Sequence, residues 1–424
     1  MLEPKLASEL AGESGMDPSS TMATVTAAND GATDPALTRL SVAEFRNYQS
    51  ARLDISGPVV VLTGPNGAGK TNLLEAISYL SPGRGLRHAT LAEIERVGGT
   101  GAGWAISARL QIAKDEVNIG TGREIAAGEN AGERRVVRID GAAARGQAAL
   151  GELLSVSWLT PRMDRLFVEG TTQRRQFLDR MVYAFDPEHA GRVNAYTHAL
   201  RERARLLRQG RTDPSWHAAL EETIAATGVA IAAARRTLVA RLDEAGEEQG
   251  PEARGHEAPG QEIFGGELFP SAELTLSGEV ETWLAEMPAL AAEDNFRRRL
   301  EIARRLDGDE PAPVPGPHRG DFVVRYRAKN MPAADCSTGE QKALLLGLVL
   351  AHARLIRIAR GSAPIMLMDE VAAHLDADRR EALFERLLSL GSQIWMTGTD
   401  RPLFSALAGT AQFLTVADGQ VSET

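Results

Sequence analysis

The chain has 424 residues, 43% of them apolar and 25% charged, which is ordinary composition for a globular protein with room for two or three domains. No run of apolar residues is long enough to span a bilayer, the amino terminus MLEPKLASELAGESG lacks an apolar core, and the lone Cys336 has no partner for an internal disulfide, so the expectation is a cytoplasmic protein with no membrane partner. The formal charge of −10 is concentrated in residues 1–36, at −5, and residues 243–267, at −7, leaving a body of +2 that does not exclude nucleic acid.

In chain order, residues 1–36 are poor in large apolar side chains and are expected to form a disordered acidic tail. Strand patterns begin at Leu37: Leu40, Val42 and Phe45 alternate, Ala51–Ile55 follow, and Pro58–Thr63 (PVVVLT) is a short β-branched run of the buried kind. It leads into GPNGAGKT, which fits the phosphate-loop pattern G-x-x-x-x-G-K-[ST]. There Gly64, Pro65, Asn66, Gly67, Ala68 and Gly69 turn backbone N–H groups towards the phosphates of ATP, Lys70 reaches the β and γ phosphates, and the Thr71 hydroxyl ligates Mg²⁺. Leu73, Leu74, Ile77 and Leu80 then recur at helical spacing, which places the anion site at a helix N-terminus. Trp104–Ile112, Glu116–Ile119 and Arg134–Ile139 are further strand-like runs between glycine-rich turns, completing an α/β lobe.

Beyond Thr171 the pattern is helical and arginine-rich, with Phe177, Met181, Val193, Tyr196, Leu200, Leu206 and Leu207 marking apolar faces. A flexible acidic segment is expected near 243–267, Val280–Leu306 resumes the helix, and PAPVPGP at 311–317 is a linker. No heptad repeat persists, which excludes a long coiled coil. The pattern divides the chain into a discontinuous ATPase domain, 37–170 and 315–424, and an inserted helical arm, 171–314.

Ala363–Asp369 (APIMLMD) followed by Glu370 describes a buried strand delivering two carboxylates, although such a strand is equally compatible with a structural role. In the functional reading Asp369 holds Mg²⁺ through water and Glu370 polarises the attacking water. Upstream, Ser337 to Gln341 (STGEQ) opens a long apolar helix that Ser337 can cap, where Gly339 and free N–H groups form a second anion site. One nucleotide has no use for both sites on the same chain. The second is therefore expected to serve another copy, in an ATP-dependent homodimer.

Gly64–Thr71, STGEQ, MLMDE at 366–370 and AHLDADRR at 373–380 resemble the Walker A, signature, Walker B and D-loop motifs of ABC-type ATPases. EFRNY at 44–48, GRGLR at 83–87, RRQFLD at 174–179, GPHRGD at 316–321 and CSTGEQKALLLGLVLA at 336–351 are similar to segments of the bacterial RecF family, and the resemblance covers roughly 37–420. It implies an α/β fold: an ABC-type P-loop ATPase head with an inserted, mainly helical arm. It also implies ATP sandwiched between Lys70 and Thr71 of one protomer and Ser337, Gly339, Gln341 and Asp376 of the other, with Arg46 contacting the nucleotide, Glu370, Asp369 and Lys70 catalytic, and Thr71 and Asp369 on the metal. The function so implied is DNA binding at single-strand gaps and duplex junctions in recombinational repair, helping to load RecA alongside RecR and supporting replication restart and the SOS response, with slow hydrolysis as the reset.

Arg84 and Arg87 match a position that resembles the DNA-facing side of related ATPases. Arg201, Arg203, Arg205, Arg208 and Arg211 either track phosphates or form a solvated face. The segment WLTPRMDRL at 158–166 matches loosely, no glutamine stands out for a Q-loop, and Thr397 or Thr399 occupies the place of the transporter switch histidine. His318 and Arg319 suggest no task of their own. Two other classes share some of these motifs. A transporter nucleotide-binding subunit is opposed by the 267 residues between Lys70 and Ser337, since such subunits place the two motifs much closer. A long-arm chromosome-organising or break-repair ATPase is opposed by the short arm without heptads.

Overall fold

The computed structural model describes residues 34–99, 101, 103–125, 133–210, 213–247, 268–306 and 314–423. Strand β1 (Ala36–Phe45) pairs antiparallel with β2 (Tyr48–Asp54), burying Leu37, Leu40, Val42 and Phe45. β3 (Val59–Thr63) feeds the phosphate loop and helix α1 (Lys70–Ser78). After the single turn α2 (Leu91–Ile94), β4 (Ala105–Ile112), β5 (Asp115–Ile125), β6 (Glu133–Ile139) and β7 (Ala142–Ala143) complete an antiparallel sheet of order β2-β1-β4-β5-β6-β7. β5 outruns the expected Glu116–Ile119 because Gly120 and Gly122 break the β-branched pattern yet still pair with Ser107 and Ala105.

α3 (Ala148–Leu153) leads to β8 (Val156–Leu159), and the arm follows as α4 (Thr171–Val182), α5 (His189–Arg208) and α6 (Pro214–Glu247). Next come β9 (Ala272–Ser277), α7 (Glu279–Glu286), α8 (Ala289–Leu306), β10 (Asp321–Tyr326) and β11 (Met331–Pro332). The chain closes with α9 (Thr338–Arg360), β12 (Ile365–Met368), α10 (Ala377–Ser389), β13 (Ile394–Gly398), β14 (Ala411–Ala417) and β15 (Gln420–Glu423). The central sheet has the order β15-β14-β3-β13-β12-β8, parallel except for the β14–β15 hairpin.

Its inner strands β3, β12 and β13 are buried on both faces, which is why they read as apolar runs rather than alternating. Val59 and Val61 of β3, Met366 and Met368 of β12 and Met396 of β13 face the core shared with α4 and α9. Val60, Leu62, Ile365, Leu367 and Trp395 face the opposite core around α1 and the antiparallel sheet. The base of the arm joins the first core through Leu238, Val239, Leu242 and Leu274. A third cluster, with Tyr196, Ile224, Val229, Val280, Phe296 and Leu300, belongs to the arm alone.

Several expectations change in detail. The arm expected to be mainly helical contains β9, which pairs with β10 across a long sequence separation that no local pattern signals. Val280–Leu306 is two helices, because Met287 is extended ahead of Pro288. Residues 243–247 of the segment expected to be flexible are the last turn of α6, where Asp243 accepts from the Leu274 N–H at 2.9 Å; 248–267 lie outside the described residues. Of the tail, 1–33 likewise lie outside, whereas the Asp34 carboxylate accepts from the Ala363 N–H at 2.9 Å and pairs with Arg357 at 2.8 Å. α6 is, over Pro214–Gly246, long and apolar enough by composition to cross a membrane, with mean hydropathy 1.2, although no uninterrupted apolar run announces it. It is an arm-core helix carrying the buried, ion-paired Glu221 and Arg235.

Candidate functional site

The phosphate loop lies between the end of β3 and the start of α1. Gly64 has φ 144°, and a Cβ there would stand 2.1 Å from the Val416 carbonyl oxygen of β14. Gly69, at φ 117°, would put a Cβ 2.5 Å from the Tyr48 hydroxyl, so both positions require glycine. α1 starts with no side-chain cap, leaving its first N–H groups free for an anion. Asn47 steadies the loop by donating to the Ala68 carbonyl at 3.0 Å.

Lys70 is buried, and its ammonium donates to the carbonyls of Gly64 at 2.8 Å and Pro65 at 2.9 Å. Burial lowers its pKa, while the charges of Glu370 and Asp369 work the other way. Thr71 Oγ1 donates to Asp369 Oδ1 at 2.8 Å, joining positions 298 residues apart. Asp369 is placed by β12, its N–H donating to the Leu159 carbonyl of β8 at 2.9 Å. Burial raises its pKa, opposed by hydrogen bonds from Thr397 and Thr71.

Of the two threonines at the end of β13, Thr397 is the one at the site. Its hydroxyl donates to Asp369 Oδ1 at 2.8 Å and accepts from the Glu370 N–H at 2.8 Å. Thr399 instead pairs with Asp400 at 2.9 Å. Glu370 has φ 52°, a left-handed conformation costly for a side-chain-bearing residue. Thr397 holds it there.

The STGEQ turn, expected to act as a signature motif, is a separate structure. Ser337 caps α9 in a capping box with Glu340, its N–H donating to Glu340 Oε2 at 2.9 Å. Gln341 is buried and turned inward, donating to the Cys336 carbonyl at 2.8 Å and the Ala334 carbonyl at 3.2 Å. Cys336 is buried too, and burial raises rather than lowers its thiol pKa. Asp376 caps α10, accepting from the Arg379 N–H at 2.8 Å. Among the described residues no hydrogen bond or ion pair links 337–341 to the phosphate loop. The loosely matched segment 158–166 puts Thr160 at the carboxyl end of β8, on a cavity of about 480 Å³ shared with Arg87, Arg162, Gln173, Gln176 and Arg180.

Local patterning missed the residue that organises the arginines. Glu75 of α1 is fully buried and takes Arg46 in a two-pronged pair at 2.8 and 2.6 Å, together with Arg87. Arg46 also donates to the Glu93 carbonyl at 2.6 Å, and Arg87 to Asn72 at 2.7 Å. On α5, Arg203 is not part of an exposed row: it is buried against Glu221 at 3.1 Å and the Leu300 carbonyl at 2.7 Å. Arg205 pairs with Glu202 at 2.6 Å and Arg208 donates to the Ala204 carbonyl at 3.3 Å, while Arg211 lies outside the described residues. Arg84 and Arg201 line one cavity.

RRQFLD and GPHRGD meet at the arm base. Arg174 pairs with Asp321 at 2.8 Å, Arg175 donates to the Gly320 carbonyl at 2.8 Å, and Arg235 joins Asp179 at 2.8 Å to the Pro317 carbonyl at 2.7 Å. His318, for which the sequence suggested no task, pairs through Nδ1 with the Tyr196 hydroxyl at 2.6 Å.

The family model described as the RecF/RecN/SMC N terminal domain matches residues 36–421. A protein of Mesorhizobium japonicum named DNA replication and repair protein RecF is 50% identical over 388 residues, covering 92% of this chain and 98% of its own. A protein of the same name from Rhizobium etli is 49% identical over 388 residues, covering 91% and 98%. Among solved structures, one described as the recombination mediator protein RecF-ATP in the RecFOR pathway superposes with a TM-score of 0.75 at 21% identity, over 93% of this chain and 99% of that one. That similarity speaks for the fold.

Proposed function

The chain belongs to the RecF/RecN/SMC family and, within it, to the RecF proteins, and from that premise we propose that it is an ATP-gated DNA-binding protein of replication and repair whose ATP-bound form is a homodimer. What carries the proposal is the contact of Thr71 with Asp369 at 2.8 Å beside the buried Lys70. The donor set suits the ligands. Lys70 has only backbone carbonyls to leave for phosphate oxygens, α1 is uncapped, and a hydroxyl beside a carboxylate is the oxygen chemistry a hard cation takes. Mg²⁺ held by Thr71 and Asp369 would neutralise charge on the phosphate oxygens.

Glu370, fixed by Thr397, orients and polarises the attacking water, and Ser337 and Gly339 present the N-terminus of α9 to the nucleotide of the partner protomer. With a threonine hydroxyl committed to Asp369 and Glu370 where a switch histidine would stand, hydrolysis is slow and resets the clamp. The DNA is a single-strand gap with its duplex junction, and the downstream partners are RecR and RecA, in the cytoplasm, during replication restart and the SOS response.

Light scattering with and without ATP, combined with anisotropy on gapped DNA, tests the reading. An ATP-dependent dimer with tightened DNA binding is expected. A chain that stays monomeric with ATP and binds gapped DNA no better for its presence overturns it.

A further inference from the structure

The loop after α1 and the helix α5 approach each other across a cavity of about 460 Å³. Arg84 enters it from the loop and Arg201 from the arm, with Arg135 of β6 behind them. Asn194, His198 and Arg201 lie on one face of α5, at the spacing of successive helical turns. Among the described residues no carboxylate lines the cavity.

The state of the three guanidinium groups distinguishes this cavity from the rest of the arginine-rich surface. Arg135 is held by neutral partners only, donating to Gly83 O at 2.8 Å, Gln147 Oε1 at 2.9 Å and Thr121 Oγ1 at 2.9 Å, over the Tyr79 ring at 5.1 Å. Its hydrogen bonds are satisfied and its charge is not, and burial pushes its pKa down to about 10. Arg84 and Arg201 are exposed, and their guanidinium groups have no hydrogen-bond or ion-pair partner among the described residues, the Arg84 carbonyl alone accepting from the Tyr79 hydroxyl at 2.8 Å. Neighbouring arginines are engaged: Arg87 by Glu75, Arg205 by Glu202. Three uncompensated like charges around one cavity repel one another, and an anion seated between them relieves that repulsion.

Resting on the DNA-binding reading above, we propose that Arg84 and Arg201 form a two-sided clamp on one phosphodiester of single-stranded nucleic acid, between the nucleotide lobe and the arm. The volume suits a single nucleotide unit; a duplex does not enter it, and an inorganic phosphate leaves most of it vacant. Asn194 and His198 offer hydrogen bonds beside the phosphate, which is how unstacked single strands are held. Because Arg84 follows α1 in sequence, strand binding at the clamp adjoins the helix that carries Lys70 and Thr71.

The test is a double-mutant cycle on the full chain with ATP, using anisotropy of a labelled single-stranded oligonucleotide over a range of salt concentrations. Arg84→Ala and Arg201→Ala should each weaken binding about ten-fold, the effect of one lost charge-assisted contact. The double variant should lose little more than either single one, because both arginines serve one phosphate, and the slope of log K against log salt should flatten by about 0.7. Nucleotide affinity, measured in parallel, should be unchanged. Parent-like DNA binding by all three variants overturns the clamp and leaves the DNA-binding reading standing. Fully multiplicative losses overturn the shared phosphate. An arginine-dependent rise in Tm with inorganic phosphate, alongside unchanged oligonucleotide affinity, overturns the nucleic-acid source. A parent chain that binds no DNA overturns both readings.

Discussion

The hydroxyl of Thr397 serves both acids, donating to Asp369 and accepting from the Glu370 N–H, so that the Glu370 backbone is held at a positive φ that a free chain would avoid. Two neighbouring carboxylates thereby receive different environments: Asp369 buried and tied to Thr71, Glu370 turned out of the strand. Replacing Glu370 by Gln keeps size and hydrogen bonding but removes the carboxylate proposed to polarise water, and hydrolysis should fall by about 10²-fold or more. ATP binding should persist, so the proposed ATP-bound dimer should accumulate and its residence on DNA should lengthen. Stopped-flow dissociation decides the matter: a variant without hydrolysis that leaves DNA as fast as the parent would separate the ATPase cycle from release. Lys70 and the two acids could be read directly from their motifs, because each is a local string. Glu75 could not be, because its partners Arg46 and Arg87 stand 29 and 12 positions away on either side.

At the scale of elements, α9 has two unlike parts: its first turn, which resembles the signature motif, is capped by Ser337 and exposed at Gly339, and its middle is core. Ser337→Arg removes the cap and blocks the turn, which should leave ATP binding through the phosphate loop intact while abolishing the ATP-dependent dimer; a normal dimer by light scattering would show that the turn does not act in trans. Deeper along α9, His352 is buried, pairing with the Met181 carbonyl at 2.8 Å and Ser157 at 3.4 Å. Burial pushes its pKa down to about 3, against 6.5 when unfolded. Below pH 6.5 the unfolded chain therefore binds the extra proton, so this contribution to stability is fully present above pH 6.5 and is lost as pH falls towards 3. His318, pushed to about 4 by burial, acts in the same direction. The fall in Tm between pH 7 and 4 should be shallower in His352→Gln than in the parent, and an equal slope would place the acid sensitivity elsewhere.

Across the whole molecule, the base of the arm is held by buried charge as well as by apolar packing, and Arg235 reaches the Pro317 carbonyl of the segment that follows the arm. Asp179 of α4, Arg235 of α6 and the Pro317 carbonyl meet where RRQFLD faces GPHRGD, with His189 on the same carboxylate at 2.9 Å. Arg235→Met strands that carboxylate and should destabilise the fold by about 3–5 kcal/mol, the usual consequence of breaking one side of a buried pair; adding Asp179→Leu should recover much of it. Chemical denaturation of the single and double variants measures both, and an unaffected single variant would mean that the arm base does not depend on the pair. By itself the sequence determined the parts whose chemistry is local: the phosphate loop between its strand and helix, the Asp369–Glu370 strand end, the capped signature turn, and the α/β class, all written in short contiguous strings. Only the tertiary structure decided what depends on distant segments meeting. It paired β9 with β10, placed Thr397 rather than Thr399 at the acids, buried Arg203, and brought Arg84 and Arg201 to one cavity. The physical reason is that backbone propensity and apolar period act over a few residues, whereas counter-ion choice and burial depend on which segments folding brings into contact.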